Sequence, residues 1–135
     1  AWYENTDGQG SFGPQRVITA EAHGPRSILT TDLDGDGDLD VLSASSDGVA
    51  WYENSDGQGI FGEPEFVTNH EGTVHVADLD GDGDLDVLSA LSHGVSWYEN
   101  IDGRGVFGPQ QVISTWVREA LSVYAADLDG DGVPQ

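Results

Sequence analysis

The residues best suited to chemistry are aspartates, and they come in three clusters. Asp32, Asp34, Asp36, Asp38 and Asp40 alternate with Leu33, Gly35, Gly37 and Leu39. Asp78, Asp80, Asp82, Asp84 and Asp86 repeat that spacing, and Asp127, Asp129 and Asp131 begin it again. In each complete cluster carboxylates stand at positions 1, 3, 5 and 9, with glycine at position 6. Alternating side chains in a tight loop converge on one point, and several carboxylates that close repel one another without a cation. The chemistry is therefore metal binding. Hard oxygen donors, with no Cys in the chain and no His in the loops, favour calcium over zinc or copper. Magnesium is less suited, because it prefers few carboxylates and several waters. The expected donors are Asp32, Asp34, Asp36 and Asp40, then Asp78, Asp80, Asp82 and Asp86. Position 7 (Asp38, Asp84, Val133) offers a backbone carbonyl, and the Asp38 side chain is expected to face solvent. An EF-hand would carry Glu at position 12 between two helices; here position 12 is Ser43 or Ser89, and the flanks read as strands. The third loop has Gln135 at position 9 and so lacks one carboxylate. The plain alternative is a solvated acidic turn that binds nothing.

The elements that must position these loops repeat with them. Trp-Tyr-Glu-Asn stands at 2–5, 51–54 and 97–100, and Phe-Gly at 12–13, 61–62 and 107–108. From Trp to Phe is always 10 residues, whereas from Phe to the first Asp is 20, 17 and 20. All length variation thus falls in one segment, which must hold a surface loop. Each period reads as four short strands: Ser27–Thr31, Leu39–Ser45, Val49–Asn54 and Glu65–Thr68 in the best-defined copy. Asp47-Gly48 supplies a tight hairpin signal. A period of about 45 residues with four strands points to all-β propeller blades of four antiparallel strands. Residues 1–19 read as a half-blade (strands three and four), 27–68 and 73–114 as blades, and 121–135 as the start of a further one. About three repeats cannot close a ring, so further repeats or a homo-oligomer are expected to complete it.

Composition narrows the partners. The chain of 135 residues carries 25 acids against 4 Arg and no Lys, a net charge of −21, with thirteen of the acids in the Asp/Gly clusters. Nucleic acid is excluded as a partner, since phosphate binding needs clustered basic residues. No apolar run approaches a membrane span. The lack of any Met implies that residue 1 is not where translation starts.

These motifs resemble the FG-GAP/VCBS repeats of integrin α-subunit propellers and many secreted microbial proteins. The resemblance rests on Phe-Gly, on Asp-x-Asp-Gly-Asp-Gly-x-x-Asp at 32–40 and 78–86, and on the Trp-Tyr-Glu-Asn strand. It implies a calcium-binding propeller and an extracellular, secreted or cell-surface location. It leaves the ligand open, because relatives include adhesion receptors, lectins and parts of polysaccharide-degrading enzymes.

Candidates outside the loops sit where the repeats differ. The Trp-Tyr pairs could stack sugars, but neighbours on a strand face opposite sides and so read as core. The face opposite the metal loops carries His23, Arg26, Ser46, Asp47, His70, Glu71, His93, Trp116 and Arg118. Trp116, an aromatic outside the repeat pattern, suits a glycan or an extracellular protein ligand. His75 reads as a packed histidine of an inner strand. No catalytic motif is present, so a non-catalytic lectin- or adhesion-like module is expected. A self-assembling ring or filament element, or the propeller part of a polysaccharide-degrading enzyme, is the alternative.

Overall fold

A computed structural model describes residues 1–92, 94–117 and 120–135. Among the described residues, eight strands form two four-stranded antiparallel sheets. The first contains β1 (Ser27–Thr31), β2 (Asp40–Ser45), β3 (Gly48–Tyr52) and β4 (Glu65–Thr68). The second contains β5 (Gly72–Ala77), β6 (Asp86–Leu91), β7 (Gly94–Tyr98) and β8 (Gln111–Ser114). Within each sheet the strands lie in chain order. This is the meander of a propeller blade, and neither sheet closes on itself.

The register follows from the apolar pattern. β2 is buried along its whole length, so Val41 and Leu42 both find apolar partners on opposite faces. Leu42, Ala44, Val49 and Trp51 share one core with Val74, Val87 and Tyr98 of the second sheet. Val41, Ala50 and Tyr52 form another on the far face, covered by Ile18 and Phe61. Trp51 and Tyr52 therefore serve the two sides of one blade. The hairpin differs from its expected form: Ser45 pairs with Gly48, so Ser46 and Asp47 make the turn and Gly48 opens β3. Gly48 has φ +126°, and a Cβ there would collide with the Thr68 carbonyl. Only glycine lets β4 end so close to the hairpin.

The terminal segments depart further from regular strands. Residues 1–19 pair only through isolated bridges, Trp2 with Arg16 and Asn5 with Phe12. Residues 121–126 form no strand.

The two sheets are locked by tryptophan and glycine. Asp56 Oδ1 accepts the amides of Gln58 and Ile60 (2.8 and 3.3 Å) and shapes the turn before Phe61. Asp102 repeats this with Arg104 and Val106, at 3.0 and 3.2 Å. The last glycine of each turn, Gly59 or Gly105, lies against the tryptophan of the preceding repeat. A Cβ on Gly105 would enter the Trp51 ring, and one on Gly59 would enter the Trp2 ring. Trp51 is 3% exposed. Burying so large a ring stabilises the junction by about 4–6 kcal/mol.

Candidate metal centres

Each acidic loop is organised by its own carboxylates before any cation is considered. Asp32 Oδ2 accepts the Gly37 amide at 3.0 Å. Asp34 Oδ1 accepts the Asp36 amide at 3.2 Å, and Asp36 Oδ1 that of Asp38 at 2.8 Å. Asp78 holds the amides of Gly81 and Gly83 at 2.7 and 3.1 Å. Asp80 and Asp82 cap the amides of Asp82 and Asp84 at 3.3 and 2.9 Å. Gly37 and Gly83, at φ +98° and +99°, let the chain turn back on itself.

These turns leave oxygens facing one another. One oxygen from each of Asp32, Asp34 and Asp36 lies within 4.8 Å of the other two, as in Asp78, Asp80 and Asp86, and in Asp127, Asp129 and Asp131. Asp32 Oδ1 is buried without a hydrogen-bond partner, an arrangement that costs free energy unless a cation meets it. Desolvation raises the Asp34 carboxyl above its ordinary pKa, and the neighbouring charges of Asp40, Asp36 and Glu53 add to this. Asp86 is also raised, first by burial, with Asp80 and Asp82 contributing. The oxygen-only donors, the orphaned Asp32 oxygen and the mutual repulsion fit a hard divalent cation.

Position 9 has a second duty that spacing alone did not reveal. Asp40 is 1% exposed. Its Oδ2 accepts the Leu33 amide at 3.1 Å, and its Oδ1 the Asn54 amide at 2.9 Å. Asp86 does the same with Leu79 and Asn100, at 3.0 and 2.9 Å. The carboxylate thus staples the start of the loop to the end of the third strand. In the third loop Gln135 Oε1 accepts the Leu128 amide at 2.9 Å and supplies half of that staple. Gln135 Nε2 also donates to the Val133 carbonyl at 2.7 Å, the oxygen expected to serve as a ligand. Asp127 still holds the Gly130 and Gly132 amides, at 2.6 and 2.9 Å.

Position 7 corrects an expectation. The Asp38 side chain does not face solvent: it is half-buried, its Oδ1 2.5 Å from where a Gly57 Cβ would lie. Asp84 packs on Gly103 in the same way, also at 2.5 Å. Bare glycine in the neighbouring turn makes room for the carboxylate.

The asparagine of Trp-Tyr-Glu-Asn was missed as a site residue. Asn54 Nδ2 donates to the Leu39 carbonyl at 3.1 Å, and its Oδ1 accepts the Gly59 amide at 2.9 Å. It joins the metal loop to the turn that receives tryptophan. The signal was its recurrence beside every such turn.

On the opposite face the candidates separate. His23 and Asp47 come together: the His23 amide and Nδ1 reach Asp47 Oδ2 at 2.9 and 3.0 Å. The hydrogen bonds from the His23 backbone and ring hold the Asp47 carboxyl below its ordinary pKa. Arg26 pairs with Glu71 across the two sheets at 2.9 Å. His70 Nδ1 meets Thr68 Oγ1 at 3.1 Å. Trp116 is 93% exposed. His93 and Arg118 lie outside the described residues.

The comparisons with known proteins agree with this geometry. No curated protein matches the chain. The FG-GAP-like repeat matches three times, over residues 1–43, 32–89 and 78–135. Successive matches overlap over residues 32–43 and 78–89, so the Asp32 and Asp78 loops each close one match and open the next. Together the matches span the entire chain, which belongs to the FG-GAP-like repeat family.

Proposed function

We propose that this chain is a non-catalytic, extracellular calcium-binding propeller module, with calcium fixing its loops and the opposite face binding a glycan or protein. The observation that carries the calcium reading is the convergence of three carboxylates within 4.8 Å in every repeat, together with the unpartnered buried oxygen of Asp32. Asp32, Asp34 and Asp36, and Asp78, Asp80 and Asp86, would hold the ions, with Asp127, Asp129 and Asp131 a third group. Bound calcium would neutralise the loops and tie their two ends together. The aspartates are occupied in shaping the loops, which supports a role other than catalysis.

The ligand-face reading rests on Trp116, an aromatic outside the repeat pattern that is 93% exposed. Since neither sheet closes on itself, further repeats or further copies of the chain would complete the propeller. The test is thermal unfolding with calcium and with excess EDTA. Calcium at 100 times its Kd adds about 2.7 kcal/mol per site. An unchanged melting curve under chelation refutes the calcium reading. Screening the calcium-loaded protein on a glycan array and in pull-downs tests the ligand face; two blank results refute that part.

A further inference from the structure

The residue between the first two aspartates of each loop is held differently in the three repeats. Leu33 has three anchors. Its amide donates to Asp40 at 3.1 Å, its carbonyl accepts Asn100 Nδ2 at 3.1 Å, and its side chain is 2% exposed in the core shared with the second sheet. Two of these anchors come from the following repeat. Leu79 keeps the amide bond to Asp86 at 3.0 Å, but its side chain is half-buried, and among the described residues no side chain donates to its carbonyl. Leu128 keeps only an amide bond, to Gln135 at 2.9 Å, and is 81% exposed.

Asn100 makes the difference. Like Asn54, it bonds within its own repeat, to the Leu85 carbonyl at 3.4 Å and the Gly105 amide at 3.0 Å. It also crosses to the preceding loop. It is wholly buried, so no water competes for that bond. The peptide it holds joins Asp32 to Asp34. Groups that orient metal ligands from behind set affinity by reducing what must be ordered on binding.

We infer that Asn100 is a positioning residue for the metal loop of the repeat before it, orienting the Leu33 peptide and so raising the metal affinity of the Asp32 loop. This rests on the calcium reading. The repeat that carries Asn100 thus completes the site of its predecessor.

The amides of Gly37, Gly83 and Gly132 each donate to the first aspartate of their loop, at 3.0, 3.1 and 2.9 Å, and report the loops separately. In an NMR titration with calcium chloride the Gly37 signal follows the Asp32 loop and the Gly83 signal follows the Asp78 loop. Asn100→Asp keeps the acceptor for Gly105 and loses the donor to both Leu33 and Leu85. It should weaken the Asp32 loop about tenfold and, without metal, speed hydrogen exchange at the Leu33 amide. Asn54→Asp adds the same charge beside the Asp32 loop but breaks only an in-repeat bond. It should shift that loop no more than Asn100→Asp shifts the Asp78 loop. The inference fails if Asn100→Asp leaves the calcium midpoint at Gly37 unchanged, or if it affects the Asp78 loop alone. Should no glycine amide respond to millimolar calcium, the calcium reading fails first and this falls with it.

Discussion

Gly10, Gly59 and Gly105 occupy one position in three repeats, and substituting each by alanine isolates the contact between repeats. Their φ angles are alike, at +98°, +83° and +88°, so each substitution carries the same backbone penalty. A left-handed backbone costs a non-glycine residue about 1–2 kcal/mol. The steric term differs. Nothing lies within 4 Å of a Cβ at Gly10. At Gly59 the obstacle is Trp2, half-buried, with Arg16 over its ring at 4.9 Å, and it can swing outward. At Gly105 it is Trp51, 3% exposed and enclosed by both sheets. Overpacking there adds about 1–3 kcal/mol. The total for Gly105→Ala is about 2–5 kcal/mol, against 1–2 for Gly10→Ala. For a chain of this length 1 kcal/mol moves Tm by about 3–4 °C. Calorimetry should therefore show a drop of about 6–20 °C for Gly105→Ala and about 3–8 °C for Gly10→Ala, with Gly59→Ala between. Adding Gly105→Ala to Trp51→Ala should cost only the backbone term. Equal shifts for the three single variants would refute the contact as the source of the difference.

Other outcomes test separate links. Asp40→Asn sets an amide donor against the Leu33 or Asn54 amide, and should cost about 1–3 kcal/mol, even in EDTA, in urea unfolding. Burial lowers the His75 pKa below 6.5, and its ring lies 4.5 Å from that of Tyr124. Because the folded value is the lower one, this stability is complete above about pH 6.5 and declines as pH falls through the folded pKa. His75→Gln should flatten the dependence of the urea midpoint on pH in that range. Trp116→Ala should leave stability within about 0.5 kcal/mol, while removing any glycan retained on a calcium-loaded column.

Much of this was legible in the residues because the chain states its pattern three times. The strands Ser27–Thr31 and Glu65–Thr68 match their expected bounds, since the apolar runs and flanking turns leave little choice. Asp32, Asp34 and Asp36 converge as their spacing implied. What spacing could not show is what each group touches across the fold. Asp40 reads as a ligand, yet both its oxygens hold backbone amides. Asn100 reads as one member of a repeated strand, and only tertiary packing brings it to Leu33, 67 residues away. Arg26 reads as a ligand candidate of the face opposite the acidic loops, whereas packing of the two sheets gives it Glu71.

The tryptophan-to-glycine contact has a direction. Trp2 reaches Gly59 and Trp51 reaches Gly105, each toward the C-terminus. Every repeat that carries both residues is thus compatible with any copy of itself on either side. A gene segment spanning one period could duplicate or be lost in phase, and the new neighbours would meet through a contact already in place. Out of phase, a tryptophan would face a residue with a Cβ. Array length is therefore free to drift in whole repeats, while the frame of each repeat is not.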